Sequence, residues 1–358
     1  MDLNVVIVAS GTGGHLFPGI AVAQEFQSRL GARVTFFTTP KPVTVQILER
    51  YRLPWEGVAS RALKGEGLFS RLRTVSALPG FILEARRRLK AVQPHLVLGM
   101  GGHAAGPVGV AAYSLGIPLA IHEQNAIPGA TNRWLARFAQ RVFLSFPDSG
   151  GYFPAEKCLW TGNPIRSEFL EPPAVRAARP FTVMVMGGSQ GARHLNLETL
   201  AALPELADLR ESLHFLHLTG EADYDTVREG YRQAGFAAEV APFSPEVARW
   251  MSRAHLLVCR AGASSLAELA ALGRAALLVP YPFAAHNHQE HNARFFEAAG
   301  AAEVILNKDF TGRLLAAKIR QLLADPEALA RMEAASRRLA KPGAARKIAD
   351  GCLHLLSP

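Results

Sequence analysis

The feature that most constrains the fold is a local unit that occurs twice. An apolar run at 3–9 leads into Gly11-Thr12-Gly13-Gly14-His15, after which Pro18 opens a helical pattern to Leu30, with the proline expected in the first turn. A second apolar run at 181–186 leads into Gly187-Gly188-Ser189-Gln190-Gly191, followed by a helical pattern at 193–203. Gly187 lies 176 residues after Gly11. Short runs rich in Val, Ile and Leu at 33–38, 96–99, 118–122 and 141–146, and again at 214–219, 239–243, 256–259 and 275–280, read as further strands. Unbroken apolar strands alternating with helices mark parallel sheets covered on both faces. A chain of 358 residues is long for one such core and comfortable for two. The join falls near Thr161-Gly162-Asn163-Pro164 and the proline-rich stretch 172–180. The expected architecture is α/β: two Rossmann-like domains, 1–162 and 163–340, with a cleft between them. A C-terminal helix at 341–358 is expected to pack back on the first domain.

Charge adds a constraint. The net charge is +9, but residues 1–150 hold 16 Lys and Arg against 8 Asp and Glu, whereas 151–358 hold 23 against 22. A basic half beside a near-neutral half points one domain toward something anionic: a phosphorylated substrate, a lipid head-group surface or nucleic acid. Cys158, Cys259 and Cys352 are sparse and have no metal-ligand spacing, so they read as reduced thiols. The amino terminus has no basic segment before its short apolar run, which predicts no secretory signal. Residues 104–121 carry no charge, a length that approaches a membrane span. Pro107, Gly109, Gly116 and Pro118 divide them into a helix and a strand.

Four glycine-rich strand-to-helix turns carry the chemistry. Besides the two above, Gly99-Met100-Gly101-Gly102-His103 and Arg260-Ala261-Gly262-Ala263-Ser264-Ser265 follow strands. Glycine lets backbone N–H groups approach an anion, and a helix amino terminus favours negative charge. None of the four has dinucleotide or P-loop spacing. Two per domain argue for a phosphate-bearing ligand, with Ser189, Ser264 and Ser265 as further donors. Arg166 is placed to meet a pyrophosphate bidentately. Glu268, on the helix after the fourth turn, is placed to accept ribose hydroxyls. His122-Glu123-Gln124-Asn125 puts four polar residues at a strand's carboxyl edge. His286, His288 and His291 lack an acidic or Cys ligand set, so no metal is predicted there. Asp223 of Asp223-Tyr224-Asp225 reads as a helix cap and not as a metal-binding DxD pair.

Taken in order, these motifs resemble the bacterial UDP-N-acetylglucosamine:lipid I N-acetylglucosaminyltransferases nearly end to end. The resemblance rests on Gly11-Thr-Gly-Gly-His-Leu-Phe-Pro-Gly19, Gly99-Met-Gly-Gly102, Ser114-Leu-Gly-Ile-Pro118, His122-Glu-Gln-Asn125 and Gly129-Ala-Thr-Asn132. It continues through Gly162-Asn-Pro-Ile-Arg166, Gly187-Gly-Ser-Gln-Gly-Ala-Arg193 and Cys259-Arg-Ala-Gly-Ala263 with Glu268. It implies the GT-B glycosyltransferase fold, with the donor in the carboxyl-terminal half. Phe243 and Ser244 would frame the uracil and Glu268 would hold the ribose. Ser189, Arg166 and the loop through Ala263, Ser264, Ser265 and Leu266 would meet the diphosphate, and Ala267 would be a further substrate-binding residue. Gln289 and Asn125 would read the hydroxyls of N-acetylglucosamine. Thr12, Gly13, Gly14, Gly101 and Gly102 would serve the acceptor's diphosphate and the donor's sugar.

The implied reaction is a single inverting displacement by a 4-hydroxyl, with His15 and Glu123 as base candidates and His15 ahead. No cofactor or metal is implied, because UDP-N-acetylglucosamine is the donor substrate. The implied partners are lipid I, the anionic inner leaflet of the cell membrane and proteins of cell-wall synthesis and division. Nucleic acid is not among them. The implied location is the cytoplasmic face of that membrane, in peptidoglycan synthesis. Leu68, Phe69 and Leu72 beside Arg71 and Arg73 are the expected membrane contact. The sequence departs from the family's pattern at Ser244, at His288-Gln289 and at 39–44. A UDP-N-acetylglucosamine 2-epimerase or hydrolase shares the fold logic but has no reason for a lipid-facing surface. A non-catalytic nucleotide-sugar-binding module is the third reading.

Overall fold

The protein, described by a computed structural model, divides into two units: Met1–Arg166 with Lys341–Pro358, and Ser167–Ala340. The structure describes residues 3–11, 13–60, 68–171, 176–188 and 190–356, with the backbone alone for 68–75. Thr12 and Ser189 therefore lie outside the described residues, as do the side chains of Leu68, Phe69, Arg71, Leu72 and Arg73.

The first unit carries the strands β1 (Asn4–Val8), β2 (Arg33–Thr38), β3 (Trp55–Gly57), β4 (Leu96–Gly99), β5 (Leu119–Glu123), β6 (Arg141–Leu144) and β7 (Cys158–Trp160). Between them run the helices α1 (Gly13–Leu30), α2 (Pro42–Arg50), α3 (Leu68–Val92), α4 (Ala105–Ser114) and α5 (Ala130–Leu135). The seven strands are all parallel, in the order β3-β2-β1-β4-β5-β6-β7. Val5 to Val8 and Leu96 to Leu98 are fully buried, which is why these strands read as unbroken apolar runs.

Pro18 does not start α1. The helix begins five residues earlier, at Gly13, and Pro18 sits inside it. Gly13, Gly14 and His15 therefore form the first turn, whose N–H groups an α-helix does not pair with its own carbonyls. The uncharged stretch 104–121 resolves into α4 and β5, turned at Gly116. Among the described residues no helix is long and apolar enough to cross a membrane.

The second unit carries β8 (Phe181–Met186), β9 (Leu213–Leu218), β10 (Ala237–Ala241), β11 (Leu256–Cys259), β12 (Ala275–Leu278) and β13 (Ala302–Val304). Its helices are α6 (Arg193–Ala202), α7 (Tyr224–Ala234), α8 (Val247–Arg253), α9 (Ala263–Leu272), α10 (His288–Ala298), α11 (Gly312–Ala324) and α12 (Pro326–Leu339). The strands are parallel, ordered β10-β9-β8-β11-β12-β13, over a core that includes Val183, Phe215, Tyr231, Val258, Leu277 and Ile319.

A last helix, α13 (Ala344–Leu353), belongs to the first unit, where Ile348, Ala349 and Cys352 are buried with Phe143. Gly351 is needed there: a Cβ at that position would stand 2.6 Å from the Phe143 ring. The boundary between the units falls between Arg166 and Ser167, past the Gly-Asn-Pro segment. Asn163 Oδ1 accepts from Ser145 Oγ at 3.2 Å, and the Arg166 guanidinium lies 4.4 Å from the Phe17 ring centroid. Both contacts tie 163–166 to the first unit, one at the end of β6 and one on α1.

Candidate functional site

Strand order locates the site before any side chain does. In each sheet the connectivity reverses once, between β1 and β4 in the first and between β8 and β11 in the second. Loops leave the sheet on opposite sides at such a point and open a crevice at the carboxyl edge, where ligands of open α/β sheets bind. The four glycine-rich turns follow these four strands. Register keeps each pair level, with Val8 beside Gly99 and Met186 beside Cys259.

In the first unit the two turns touch. Gly101 has φ +100°, and a Cβ there would lie 3.0 Å from the His15 ring, so only glycine admits the second turn against that imidazole. Gly102 also has positive φ, and the next turn is tied back when the Ala104 N–H donates to Ser10 Oγ at 3.0 Å.

Around His15 the hydrogen bonds form a directed chain. Gln124 Nε2 lies 2.7 Å from the Met100 carbonyl oxygen, to which only a donor can be opposed. The Gln124 amide is therefore oriented with Nε2 toward Met100 and His122 Nδ1, 3.0 Å away, and with Oε1 toward His15 Nδ1, 2.9 Å away. His15 then donates from Nδ1, and its neutral ring carries the lone pair on Nε2. His122 accepts at Nδ1 and donates from Nε2, which lies 3.3 Å from the Gly162 carbonyl and 3.2 Å from Ser145 Oγ. Burial, opposed by the hydrogen bond to Gly162 and helped by the nearby His15, pushes His122 down to about 3, so His122 stays neutral.

Glu123 is buried beside this chain. Its Oε1 accepts from the Asn125 N–H at 3.0 Å and from Asn125 Nδ2 at 3.3 Å, and its Oε2 accepts from the Gly129 N–H at 3.1 Å and from Asn132 Nδ2 at 2.9 Å. Burial raises its pKa, and these four donors oppose the rise. The carboxylate holds the 123–132 turn together and pins Asn125 to the end of β5. On the far side of the second turn, Ser60 Oγ lies 2.8 Å from His103 Nδ1 and 3.0 Å from Thr39 Oγ1. This places the 39–44 segment that departs from the family pattern beside the turn.

In the second unit, Gly191 has φ +73°, and a Cβ there would collide with the Thr219 carbonyl oxygen, so the third turn lies directly on the strand end. The turn is supported from below. Asn196 Nδ2 donates to Thr219 O at 3.0 Å and to Asp223 Oδ2 at 2.9 Å, and Asn196 Oδ1 accepts from His217 Nε2 at 3.0 Å. Asp223 occupies the residue before α7, but its carboxylate pairs with Arg193 and Asn196 and makes no cap hydrogen bond.

The fourth turn opens α9 at Gly262, so Ala263, Ser264 and Ser265 form its first turn. Leu266 and Glu268 are buried, and Ala267 is half-buried. Helical side chains lean toward the amino terminus, which directs Glu268 back over that turn. Gln289 Oε1 accepts from the Ala261 N–H at 3.2 Å and the Tyr281 N–H at 3.0 Å, so the amide is oriented with Oε1 toward the backbone and Nε2, a donor, away from it. Phe243 is exposed. Ser244 is buried, and its hydroxyl accepts from the Glu246 N–H at 3.1 Å.

The sequence did not single out Arg260, which clamps this turn. It donates to Val279 O at 3.0 Å, Pro280 O at 3.1 Å and Asn307 Oδ1 at 2.8 Å. Nor did it assign roles to His122 and Gln124; the one signal was a polar run ending an apolar strand. Among the described residues no group of three or more His, Cys, Asp or Glu side chains is placed to hold a metal ion.

Residues 5–144 match the glycosyltransferase family 28 N-terminal domain and residues 182–348 match its C-terminal domain. The two parallel-sheet domains thus define a glycosyltransferase of GT-B fold. The chain is 44% identical over 358 residues to the UDP-N-acetylglucosamine–N-acetylmuramyl-(pentapeptide) pyrophosphoryl-undecaprenol N-acetylglucosamine transferase of Anaeromyxobacter sp. (strain Fw109-5), covering 99% of this chain and 94% of that protein. It is 42% identical to the protein of the same name from Myxococcus xanthus (strain DK1622), covering 99% and 93%. Among solved structures, the crystal structure of Acinetobacter baumannii MurG superposes with a TM-score of 0.78 at 32% identity, over 98% of this chain and 99% of that one. The chain belongs to this family of N-acetylglucosamine transferases.

Proposed function

We propose that the protein transfers N-acetylglucosamine from UDP-N-acetylglucosamine to the 4-hydroxyl of the N-acetylmuramyl group of undecaprenyl-diphosphate-linked lipid I, giving lipid II with inversion at the anomeric carbon. The observation that carries this reading is near-full-length identity to transferases whose name states that donor and that acceptor. The donor is assigned to the second unit: Phe243 and Ser244 at the uracil, Glu268 at the ribose, and Ser189 with Ala263 to Leu266 at the diphosphate. Gln289 and Asn125 read the sugar. The acceptor is assigned to the first unit, at Thr12, Gly13, Gly14, Gly101 and Gly102.

In the step itself, a lone pair of the 4-hydroxyl oxygen forms the bond to the anomeric carbon while the bond to the UDP oxygen breaks and its electron pair leaves with UDP. The hydroxyl proton goes to His15 Nε2. Helix-terminal amides and Arg166 meet the charge on the leaving diphosphate, and no metal is assigned to the site. The test is UDP release from UDP-N-acetylglucosamine with and without lipid I. Release only with lipid I is the expected result. Release or 2-epimerisation without acceptor would mean an epimerase or hydrolase, and binding without turnover would mean a nucleotide-sugar-binding module.

An isoprenoid-linked acceptor stays in a bilayer, so this reading also places the enzyme on the cytoplasmic face of an anionic membrane. One face of the first unit supports this. Tyr113 on α4 is 59% exposed and Leu83 on α3 is 56% exposed. Arg86 Nη1 donates to Ser114 O at 3.0 Å, which joins the two helices at that place. Exposed Trp134 and Tyr113 both pack on Phe138, with exposed Arg87, Lys90, Arg133 and Arg137 on the same helices and the turn that follows. Amphipathic aromatics beside cations suit a head-group interface, where each cation contributes about 1 kcal/mol. Wild-type protein is expected to sediment with anionic vesicles and to release at high salt. A variant with Tyr113→Ser and Leu83→Ser is expected to sediment less while keeping its UDP affinity. Undiminished sedimentation would place the docking face elsewhere.

A further inference from the structure

The chain from Gly162 through His122 and Gln124 to His15 has a direction, and the direction has a consequence for the reacting atom. Imidazole has two neutral tautomers, and the one present is set by the hydrogen bond at the other nitrogen. For a base acting through Nε2, the proton must sit on Nδ1. Nothing in His15 itself selects that tautomer.

We propose that Gln124 is a positioning residue of the transfer, holding His15 as the Nδ1–H tautomer with its lone pair on Nε2, and that His122 and the Met100 carbonyl hold Gln124. The inference rests on the reading that His15 is the base.

Gln124 is 1% exposed and has no other orientation to adopt. Turning its amide over would set Oε1 against the Met100 carbonyl oxygen and against the His122 Nδ1 lone pair. His122 has its own direction, since its Nε2–H faces Gly162 O and Ser145 Oγ. Each member therefore removes the alternative orientation of the next, and aligned bonds of this kind polarise one another.

The chain does not carry the proton onward. His122 Nδ1 already accepts from Gln124, and burial keeps its ring neutral. The proton taken at Nε2 stays on His15 until it exchanges with solvent. Meanwhile Gln124 Oε1, already aimed at Nδ1–H, faces the imidazolium without having to reorganise.

Two measurements on the full-length protein test this. The first is the long-range ¹⁵N–¹H spectrum of histidine-labelled protein above the imidazole titration range, at about pH 8.5. His15 is assigned among the twelve histidines by the signal that His15→Gln removes. Wild type is expected to show His15 protonated at Nδ1, and Gln124→Met to show Nε2–H or a mixture. An Nε2–H pattern in wild type, or Nδ1–H retained in Gln124→Met, overturns the proposal.

The second measurement is kinetic. Gln124→Met is expected to lower kcat roughly 10- to 100-fold, part of what a positioned base contributes, with KM for UDP-N-acetylglucosamine and UDP affinity unchanged. Gln124→Glu keeps an oxygen for Nδ1–H and is expected to retain most of kcat. A merely structural glutamine predicts the opposite order, because the carboxylate would face the Met100 carbonyl and methionine would not. If Gln124→Met does not fold, the wild-type spectrum and Gln124→Glu still decide. Failure of the base reading looks different: His15→Gln would then keep its kcat, whatever tautomer the spectrum shows.

Discussion

Replacing His15 by glutamine is expected to lower kcat by roughly 10²- to 10⁴-fold, the range for loss of a positioned base. The change in KM for UDP-N-acetylglucosamine should stay within about threefold, under ~0.7 kcal/mol. The 4-hydroxyl must lose its proton as its oxygen closes on the anomeric carbon, and the nearby polar groups cannot take over. His122 is neutral, with its Nδ1 lone pair occupied by Gln124. Both oxygens of Glu123 accept two donors each, so using one as a base would break the bonds that hold the 123–132 turn. Of the two base candidates, Glu123 is the one already committed to the turn, so the prediction is made for the half-buried His15. A steady-state kcat within tenfold of wild type would remove His15 from that role. Folding is checked by the melting temperature and by UDP affinity.

Glu268→Ala is expected to weaken UDP binding by about 1.5–3 kcal/mol, the range for a hydrogen bond to a charged group. That is roughly 10- to 150-fold in Kd. The magnitude follows from burial. Glu268 is 5% exposed on α9, past a first turn formed by Ala263, Ser264 and Ser265. A carboxylate at low solvent exposure is expected to accept strongly from a vicinal diol. Titration calorimetry with UDP and with 2′-deoxy-UDP separates binding from general damage. If Glu268 meets the ribose, the two ligands differ in wild type and converge in the variant, a double-mutant cycle with the ligand as one arm. Unchanged UDP affinity in folded Glu268→Ala would sink the assignment. An equal loss for both ligands would mean that the residue supports the α9 turn instead.

The two parts of the site were unequally legible. Glycine turns after apolar strands are local features: Gly11, Gly101, Gly102, Gly188 and Gly191 take positive φ within a few residues of a strand end, while Gly262 in the fourth turn is extended and caps α9. All four stand in the structure where the sequence places them. The start of α1 was misread because a proline is most at home in a first turn, whereas here the preceding glycines already make that turn. Asp223 was half-legible: it stands at the head of α7, but its carboxylate is drawn to Arg193 and Asn196, partners 30 and 27 residues away.

By itself the sequence determined that two parallel α/β domains would form, that phosphate-suited turns would follow their strands, and which family the ordered motifs belong to. These depend on periodicity and on residue types within short windows, and they survive without knowledge of what packs on what. Only the tertiary structure decided what those turns do for each other. The pairing of the turns follows from strand order, which sets β1 beside β4 and β8 beside β11. The return of α13 to the first sheet depends on the fit of Gly351 against Phe143. The tautomer of His15 depends on an amide 109 residues away, itself oriented by a carbonyl on a third segment and by an imidazole two residues before it. Hydrogen bonds are directional, so the role of each atom in such a chain is settled only when every member is in place.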